Sequence, residues 1–263
     1  TDKMKPYRAK EVKAFGTGVK SLFVDSRHRL LVGTSNGVYL YIPEADTFQK
    51  LEFDGTLSKA YITMFAETSR HELVVCTKEH GMVISDLDFK NIEVYNKKNS
   101  PQLLLDNDVT SAFEDSKGTL WIATNQTGIV KWDRKSSEIK HFTTRNTELS
   151  NNTIRQIKET DGKLFIATMD GVYTLDLATE QLQAHSNAKL SRGMLSHFSI
   201  YSLCVDKNGG VWIGTYSGGV NYLSKYNNRF VLHEPSNSVN SLLGIYGNMA
   251  STKDNLYIST EGG

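Results

Sequence analysis

Leu120-Trp121-Ile122-Ala123-Thr124 and Val211-Trp212-Ile213-Gly214-Thr215 are near copies of one five-residue word. Four apolar or small residues, the second of them bulky, are closed by Thr, and such a run is typical of a β-strand buried on both faces. Four further copies are Leu30-Leu31-Val32-Gly33-Thr34, Leu73-Val74-Val75-Cys76-Thr77, Leu164-Phe165-Ile166-Ala167-Thr168 and Leu256-Tyr257-Ile258-Ser259-Thr260. The closing Thr residues lie at positions 34, 77, 124, 168, 215 and 260, so successive spacings are 43, 47, 44, 47 and 45 residues. A period in the forties indicates a repeat architecture.

Each copy of the word has the same kinds of neighbours. An apolar residue opens a shorter strand upstream, at Val19, Ile62, Val109, Ile154, Ile200 and Ile245. A Gly follows the Thr in five copies and begins a third strand, at Gly37, Gly81, Gly128, Gly171 and Gly219. A fourth strand closes each of these units, at 48–51, 92–95, 139–142, 182–185 and 230–233. Four antiparallel strands in about 45 residues predict one β-propeller blade, so the fold class is all-β with helix nearly absent.

The six words predict about six blade equivalents. The expected units are residues 19–53, 60–95, 108–142, 153–185, 199–233, and 239–263 together with 11–15. No low-complexity linker separates them, so residues 1–263 are interpreted as a single propeller domain or fragment. Either the two ends meet and close a six-bladed ring, or the chain is cut from a longer array. The fragment is favoured, because both ends fall so near a strand boundary.

Composition excludes several classes of partner. The 263 residues hold 30 Lys and Arg against 29 Asp and Glu, a formal charge of +1 with no basic run, so nucleic-acid binding is not expected. No apolar run approaches the roughly 18 residues needed to span a bilayer, and the first residues contain no apolar segment with a cleavage site. We therefore expect a soluble portion that makes no membrane contact itself.

Neither cysteines nor histidines indicate a metal centre. Cys76 and Cys204 lie in strands of non-adjacent units, so both are expected to be small buried residues without a disulfide. Five histidines recur at fixed repeat positions and are interpreted as scaffold: His28, His71, His141, His185 and His233. His80 and His197 fall outside this pattern and are predicted to be loop residues. No cofactor is expected.

Two segments resemble a known family. Val109 to Trp121 (VTSAFEDSKGTLW), continuing as IATNQTGIVKWD, and Ile200 to Gly219 (IYSLCVDKNGGVWIGTYSGG) are similar to the two-component regulator propeller repeat. In that family such repeats form the extracytoplasmic sensor of hybrid two-component histidine kinases. The resemblance implies a periplasmic segment that detects an oligosaccharide, homodimerises through the full-length sensor and signals to a kinase outside this chain.

Three other interpretations compete with a sensor. A sialidase-type Asp-box would place Asp115 and Gly118 one residue closer together. A streptogramin-lyase-like enzyme, or another glycan-active propeller, would need an acid or base pair such as His197 with Glu79 or Asp170. A WD40-type protein-interaction scaffold lacks its Gly-His and Trp-Asp marks, since Trp132-Asp133 is the only such dipeptide. A binding module without catalysis in this segment is favoured, with an enzyme or a scaffold as the alternatives.

Two sets of positions are candidates for ligand binding. The loops between second and third strands vary in chemistry on a fixed scaffold, which indicates Lys78, Asn125, Asp170 and Tyr216. The position after each first-strand opener carries Arg155, Tyr201 and Tyr246 in successive units. Arg beside two Tyr suits a sugar by stacking, by hydrogen bonding and by pairing with a uronate or sulfate. Alternatively, the tyrosines pack between blades and Arg155 only meets solvent.

Overall fold

The computed structural model describes residues 18–52, 58–185, 195–226, 230–233, 245–252 and 255–260. The chain divides into two compact units, residues 1–112 and 113–263. Regular structure within the described ranges consists of β-strands and short 3-10 segments such as η1 (Pro43–Ala45), with no α-helix.

The first unit contains two four-stranded antiparallel blades whose strands pair in chain order. Blade 1 consists of β1 (Val19–Val24), β2 (Leu30–Thr34), β3 (Gly37–Ile42) and β4 (Thr47–Lys50). Blade 2 consists of β5 (Ile62–Glu67), β6 (Glu72–Thr77), β7 (Met82–Asp86) and β8 (Ile92–Tyr95). Leu31 and Val38 of blade 1 pack against Ile62, Phe65 and Leu73 of blade 2. The apolar strands therefore face each other across a sheet-on-sheet core, which explains why the word is apolar throughout.

Three more blades follow, and the boundary between the units falls inside the first strand of blade 3. Blade 3 consists of β9 (Val109–Glu114), β10 (Leu120–Thr124), β11 (Ile129–Asp133) and β12 (Glu138–Phe142). Blade 4 consists of β13 (Ile154–Thr160), β14 (Lys163–Thr168), β15 (Gly171–Asp176) and β16 (Leu182–His185). Blade 5 consists of β17 (Ile200–Val205), β18 (Val211–Thr215), β19 (Val220–Leu223) and β20 (Phe230–His233). The last two strands, β21 (Ile245–Ser251) and β22 (Leu256–Thr260), form a two-stranded sheet.

Neighbouring blades of the second unit pack face to face like those of the first. Trp121 of blade 3 lies in one core with Ile154 and Ile157 of blade 4. The opposite face of blade 4 presents Phe165 to a second core, shared with Leu203 of blade 5. The central strand of blade 4 is thus buried on both sides, by blade 3 on one face and blade 5 on the other.

The Thr that closes each of the first five words caps the following hairpin. Thr124 Oγ1 donates to the Gly128 carbonyl at 2.9 Å and accepts from the Thr127 amide at 3.0 Å. Gly128 has φ +82°, and a Cβ there would lie 2.2 Å from the Phe142 carbonyl oxygen, so only Gly fits. The same Thr-to-carbonyl bond, 2.7 to 2.9 Å long, recurs at Thr34, Thr77, Thr168 and Thr215. The word therefore specifies the hairpin as well as the strand.

In blades 1, 3 and 5, an Asp side chain ties the turn between the first two strands to the blade. Asp115 Oδ1 accepts from the amides of Lys117 and Thr119 at 2.9 Å, and Oδ2 accepts from Trp121 Nε1 at 2.8 Å. Asp206 does the same with two turn amides, and its Oδ2 accepts from the Tyr222 hydroxyl at 3.0 Å. Asp25 repeats the arrangement in blade 1. Burial raises the pKa of the Asp25 carboxyl, but hydrogen bonds from its turn amides and a neighbouring guanidinium outweigh that effect and lower it.

The predicted propeller of four-stranded antiparallel blades is confirmed, whereas the number of about six is wrong for the described residues. Five sheets have four strands, and the sixth word belongs to a two-stranded sheet. A word with its opener specifies only the two inner strands of a blade, so counting words overestimates complete blades. The strand expected at 11–15 lies outside the described residues. The grouping of residues 1–263 into one domain stays a prediction.

Predictions about single side chains had mixed outcomes. Cys76 and Cys204 are both buried, unpaired thiols, as predicted, and burial raises the pKa of the Cys76 thiol. Trp121 is only 1% exposed, but the prediction that Trp212 is equally buried is wrong. Trp212 lies at the edge of a small cluster beside the two-stranded sheet, with its ring 4.5 Å from that of Tyr222. A sheet of two strands covers less of the large indole than a full blade does.

Candidate ligand-binding site

Side chains at the position after each strand opener lie at a recurring β-bulge. The pairing of the first two strands skips one residue in blades 1, 2, 4 and 5, and the skipped residues are Lys20, Thr63, Arg155 and Tyr201. A bulged residue leaves the hydrogen-bond ladder and its side chain is re-aimed, which is frequent next to binding sites. The bulge of β21 spans the third predicted residue, Tyr246, whose side chain lies outside the described part of the chain.

Arg155 and Tyr201 are in direct contact across blades 4 and 5. The guanidinium carbon of Arg155 lies 3.8 Å from the centroid of the Tyr201 ring, a cation–π arrangement. Arg155 Nη1 also donates to Ser199 Oγ at 3.2 Å and to the Ile200 carbonyl at 3.0 Å. The alternative in which Arg155 only meets solvent is therefore wrong, because three contacts to blade 5 fix this side chain.

Three further rings follow Tyr201 in a series of contacts that ends at partly exposed side chains. Tyr216 stacks on Tyr201 with centroids 5.6 Å apart and planes at 25°. The His197 ring lies 6.3 Å from Tyr216 and stacks on Phe198 at 4.4 Å and 22°. Tyr216 is 45% exposed and Phe198 51% exposed. We call Arg155, Tyr201, Tyr216, His197 and Phe198 the aromatic shelf.

Backbone contacts hold the loops of the shelf in position. The Tyr216 amide donates to the Ser199 carbonyl at 2.9 Å, and the Ser199 amide donates to His197 Nδ1 at 3.0 Å. A Cβ at Gly218 would lie 2.8 Å from His197 Cβ, so the absent side chain allows the two loops to approach. Buried Asn221 accepts from the Ser196 amide at 3.0 Å. The shelf is therefore organised before any ligand arrives, which lowers the entropic cost of binding.

Asn125 and Asp170, two other predicted site residues of the second unit, take part in hydrogen bonds between loops of blades 3 and 4. Ser150 Oγ donates to Asp170 Oδ2 at 2.5 Å, and the Ser150 amide donates to the Tyr173 hydroxyl at 3.0 Å. Thr153 Oγ1 donates to the Asn125 carbonyl at 2.8 Å. Asn125 and Asp170 thus join neighbouring loops of blades 3 and 4.

The predicted residue Lys78 lies in the first unit. Its ammonium is 5.7 Å from the centroid of the Tyr61 ring, and the ammonium of Lys20 lies 5.3 Å from the same centroid. The Lys78 amide donates to the Tyr61 carbonyl at 3.0 Å. Two cations beside one Tyr form a small cluster that could accept an anionic group.

Sequence reasoning missed Phe198 and Tyr61 and treated His197 only as a loop residue or half of a catalytic pair. Phe198 lies two residues before the strand opener Ile200 and Tyr61 one residue before Ile62, so an aromatic residue shortly before an opener is the signal that could have found them. Instead of facing a carboxylate, His197 accepts from a backbone amide and stacks on Phe198. Within the described ranges, no three His, Cys, Asp or Glu side chains are placed to hold a metal ion.

Comparison with known proteins agrees with the fold. The family model described as two component regulator propeller matches residues 103–126 and 193–217, which confirms the predicted resemblance for these segments. The second match contains four of the five shelf residues. No curated protein sequence matches the chain significantly. In the part of the chain that the structure describes, no helix is long and apolar enough to cross a membrane.

Solved structures with the same fold include extracellular domains of two hybrid two-component systems from B. thetaiotaomicron. One has a TM-score of 0.75 at 22% identity, covering 95% of this chain and 35% of that one. The other has a TM-score of 0.73 at 22% identity, covering 92% and 32%. Virginiamycin B lyase from Staphylococcus aureus has a TM-score of 0.69 at 12% identity, covering 92% and 77%. The chain spans about a third of the first two proteins, and at these identities the likeness shows the fold alone.

Proposed function

We propose that this chain is the ligand-sensing propeller portion of a bacterial two-component sensor, and that its aromatic shelf binds an oligosaccharide without converting it. The full sensor would span a membrane, with this portion in the periplasm and the kinase outside this chain. The family match and the likeness to extracellular domains of hybrid two-component systems support this role.

The observation that carries the proposal is the stack of Arg155, Tyr201 and Tyr216, which ends on partly exposed rings. Sugar rings have an apolar face that packs on aromatic rings and hydroxyl groups that hydrogen bond at the edge. The Arg155 guanidinium and the tyrosine hydroxyls offer such edges, and the cation also suits a uronate or sulfate. Phe198, 51% exposed, extends the surface for a second sugar ring.

An enzyme is the second candidate, because His197 lies within the shelf and a propeller lyase shares the fold. A general base must reach the proton that it removes. His197 Nδ1 is occupied by the Ser199 amide at 3.0 Å, which leaves Nε2 for chemistry. No described acid or base contacts the His197 ring, so binding without turnover is favoured.

A thermal-shift and calorimetry screen against oligosaccharides, with product analysis of the same samples, tests the proposal. Tyr216→Ala should weaken binding by roughly 1 to 3 kcal/mol, about 5- to 150-fold, with little change in melting temperature, because its ring is partly exposed. Tyr226→Ala is the matched control, since Tyr226 is 87% exposed and outside the shelf. Tyr201→Ala and Arg155→Ala should weaken binding as well.

Two outcomes would contradict the proposal. Conversion of any bound oligosaccharide would favour the lyase-like enzyme. Binding that ignores the substitutions at Arg155, Tyr201 and Tyr216 would move the site to the loops at Lys78, Asn125 and Asp170.

A further inference from the structure

A second concave site lies between the outer parts of blades 4 and 5. Its volume is about 520 Å³, within the range of small-molecule sites. Six of its lining residues carry the argument, and we call them the interblade cleft: Asp161, Lys163, Phe165, His185, Lys225 and Phe230. A hydrogen bond from Thr160 Oγ1 to the Gly209 carbonyl, 3.1 Å long, joins the two blades at the same cleft.

The floor of the cleft is apolar. Phe165 and Val211 are buried members of the core shared by blades 4 and 5, and the partly buried Phe230 packs against that core. The Phe230 ring meets the His185 imidazole edge-on, with centroids 6.1 Å apart and planes at 79°. Val211 is only 1% exposed and Phe165 7%, so a flat apolar group would pack against the Phe230 ring and the accessible edge of Phe165.

One of the two cations in the cleft is already neutralised. Lys225 Nζ forms an ion pair with Asp161 Oδ1 at 2.7 Å. The ammonium of Lys163, an exposed residue, forms no hydrogen bond or ion pair with any described residue, although its charge adds to the turn amides of Thr179 and Ala178 in lowering the pKa of the Asp176 carboxyl. Its cross-strand neighbour Asp176 uses its Oδ1 atom to accept from the Ala178 and Thr179 amides. Among the described residues, the cleft thus holds one positive charge that no direct ion pair neutralises.

His185 adds a polar group without a second charge. Its Nε2 atom is hydrogen bonded to Thr174 Oγ1 at 3.0 Å. Burial lowers the pKa of the imidazole, and the positive charge of Lys163 lowers it further, so the ring is neutral at pH 7. The influence of Lys163 on His185 also indicates that the ammonium charge acts on the interior of the cleft.

We propose that the interblade cleft binds a small organic monoanion, a carboxylate attached to a flat apolar body. The carboxylate pairs with Lys163, and the body packs against Phe165 and Phe230. A dianion such as phosphate would leave one negative charge without a partner and the apolar floor uncovered, and burying such a charge is costly. This site is separate from the aromatic shelf and does not depend on the oligosaccharide proposal.

Benzoate and its neutral isostere benzamide are the probes, titrated into the isotopically labelled chain and followed by NMR. Benzoate should perturb the signals of His185 and Phe230, with a dissociation constant in the millimolar range expected for so small a ligand. Benzamide should bind at least about fivefold more weakly, because it lacks the charge that pairs with Lys163. Lys163→Gln should abolish this preference, and Lys163→Arg should keep it.

Lys135→Gln is the control, since Lys135 does not line the cleft, and it should leave benzoate binding unchanged. Resonances outside the cleft report whether Lys163→Gln is folded. The proposal is overturned if benzamide binds as well as benzoate, if Lys163→Gln keeps the preference, or if the perturbed signals lie away from the cleft. Absence of benzoate binding at millimolar concentrations would overturn it too.

Discussion

Replacing Asp115 by Asn should destabilise the second unit through a single hydrogen bond inside blade 3. Asp115 Oδ2 accepts from Trp121 Nε1 at 2.8 Å, while Oδ1 accepts from two turn amides. In Asp115→Asn, the side-chain oxygen can still serve the turn amides. The side-chain NH₂ then faces the indole N–H, and two donors cannot bond to each other.

The cost follows from the burial of both partners. Trp121 is 1% exposed and Asp115 6%, so water cannot replace the lost acceptor. A buried donor left without a partner costs about 1 to 3 kcal/mol, and the bond that is lost involves a charged acceptor. We expect Asp115→Asn to lower the free energy of unfolding by about 2 to 3 kcal/mol.

Urea denaturation of the wild type, Asp115→Asn, Trp121→Phe and the double variant measures the coupling between the two residues. Phe has no N–H, so in the Trp121→Phe background the Asn substitution should cost only about 1 kcal/mol, and the coupling energy should be about 1 to 2 kcal/mol. Asp133→Asn is the control, because Asp133 accepts from turn residues only. Additive effects, with no coupling, would refute the assigned role of the Asp115–Trp121 bond.

Three further predictions concern titratable side chains. Burial lowers the pKa of the Lys158 ammonium, so Lys158→Met should raise the free energy of unfolding by on the order of 1 kcal/mol at pH 7. In thermal melts, the difference in stability between the variant and the wild type should narrow as the pH approaches 10.5, because the wild-type ammonium then loses its charge. Burial and the charge of Lys163 lower the pKa of His185, so the wild type should lose stability as the pH falls below 6.5. His185→Asn should lose less stability between pH 6.5 and the folded-state pKa of His185, because it lacks the imidazole that takes up the proton. Cys76 and Cys204 are buried, so a thiol reagent should label them only as fast as the chain opens; labelling within seconds in native buffer would contradict their placement.

The blades could be predicted because the geometry of each strand and hairpin requires particular residue types in the repeated word. The Thr124 side chain caps the hairpin, and at position 128 only Gly fits beside the Phe142 carbonyl oxygen. Such requirements recur in every blade and leave a readable pattern. The number of complete blades could not be predicted, because outer strands carry no comparable constraint.

The candidate site could be predicted only in part. The bulge that re-aims Arg155 and Tyr201 recurs with the repeat. Their position could therefore be identified from the sequence, because residues of different chemistry occupy it in successive repeats. The stacking of Tyr216 on Tyr201 depends on how two loops approach, which Gly218 permits and no motif encodes. The interblade cleft could not be predicted from the sequence either, because it depends on how residues of two blades, such as Lys163 and Phe230, come together.

A crystal structure of the chain with the oligosaccharide that gives the largest thermal shift tests the central claim most directly. The account predicts an intact sugar ring within van der Waals contact of Tyr216 or Phe198, with a hydroxyl or acidic group hydrogen bonded to Arg155 or to a shelf hydroxyl. A sugar bound only at the loops of Asn125 and Asp170, or density for a cleaved product on the shelf, would contradict it.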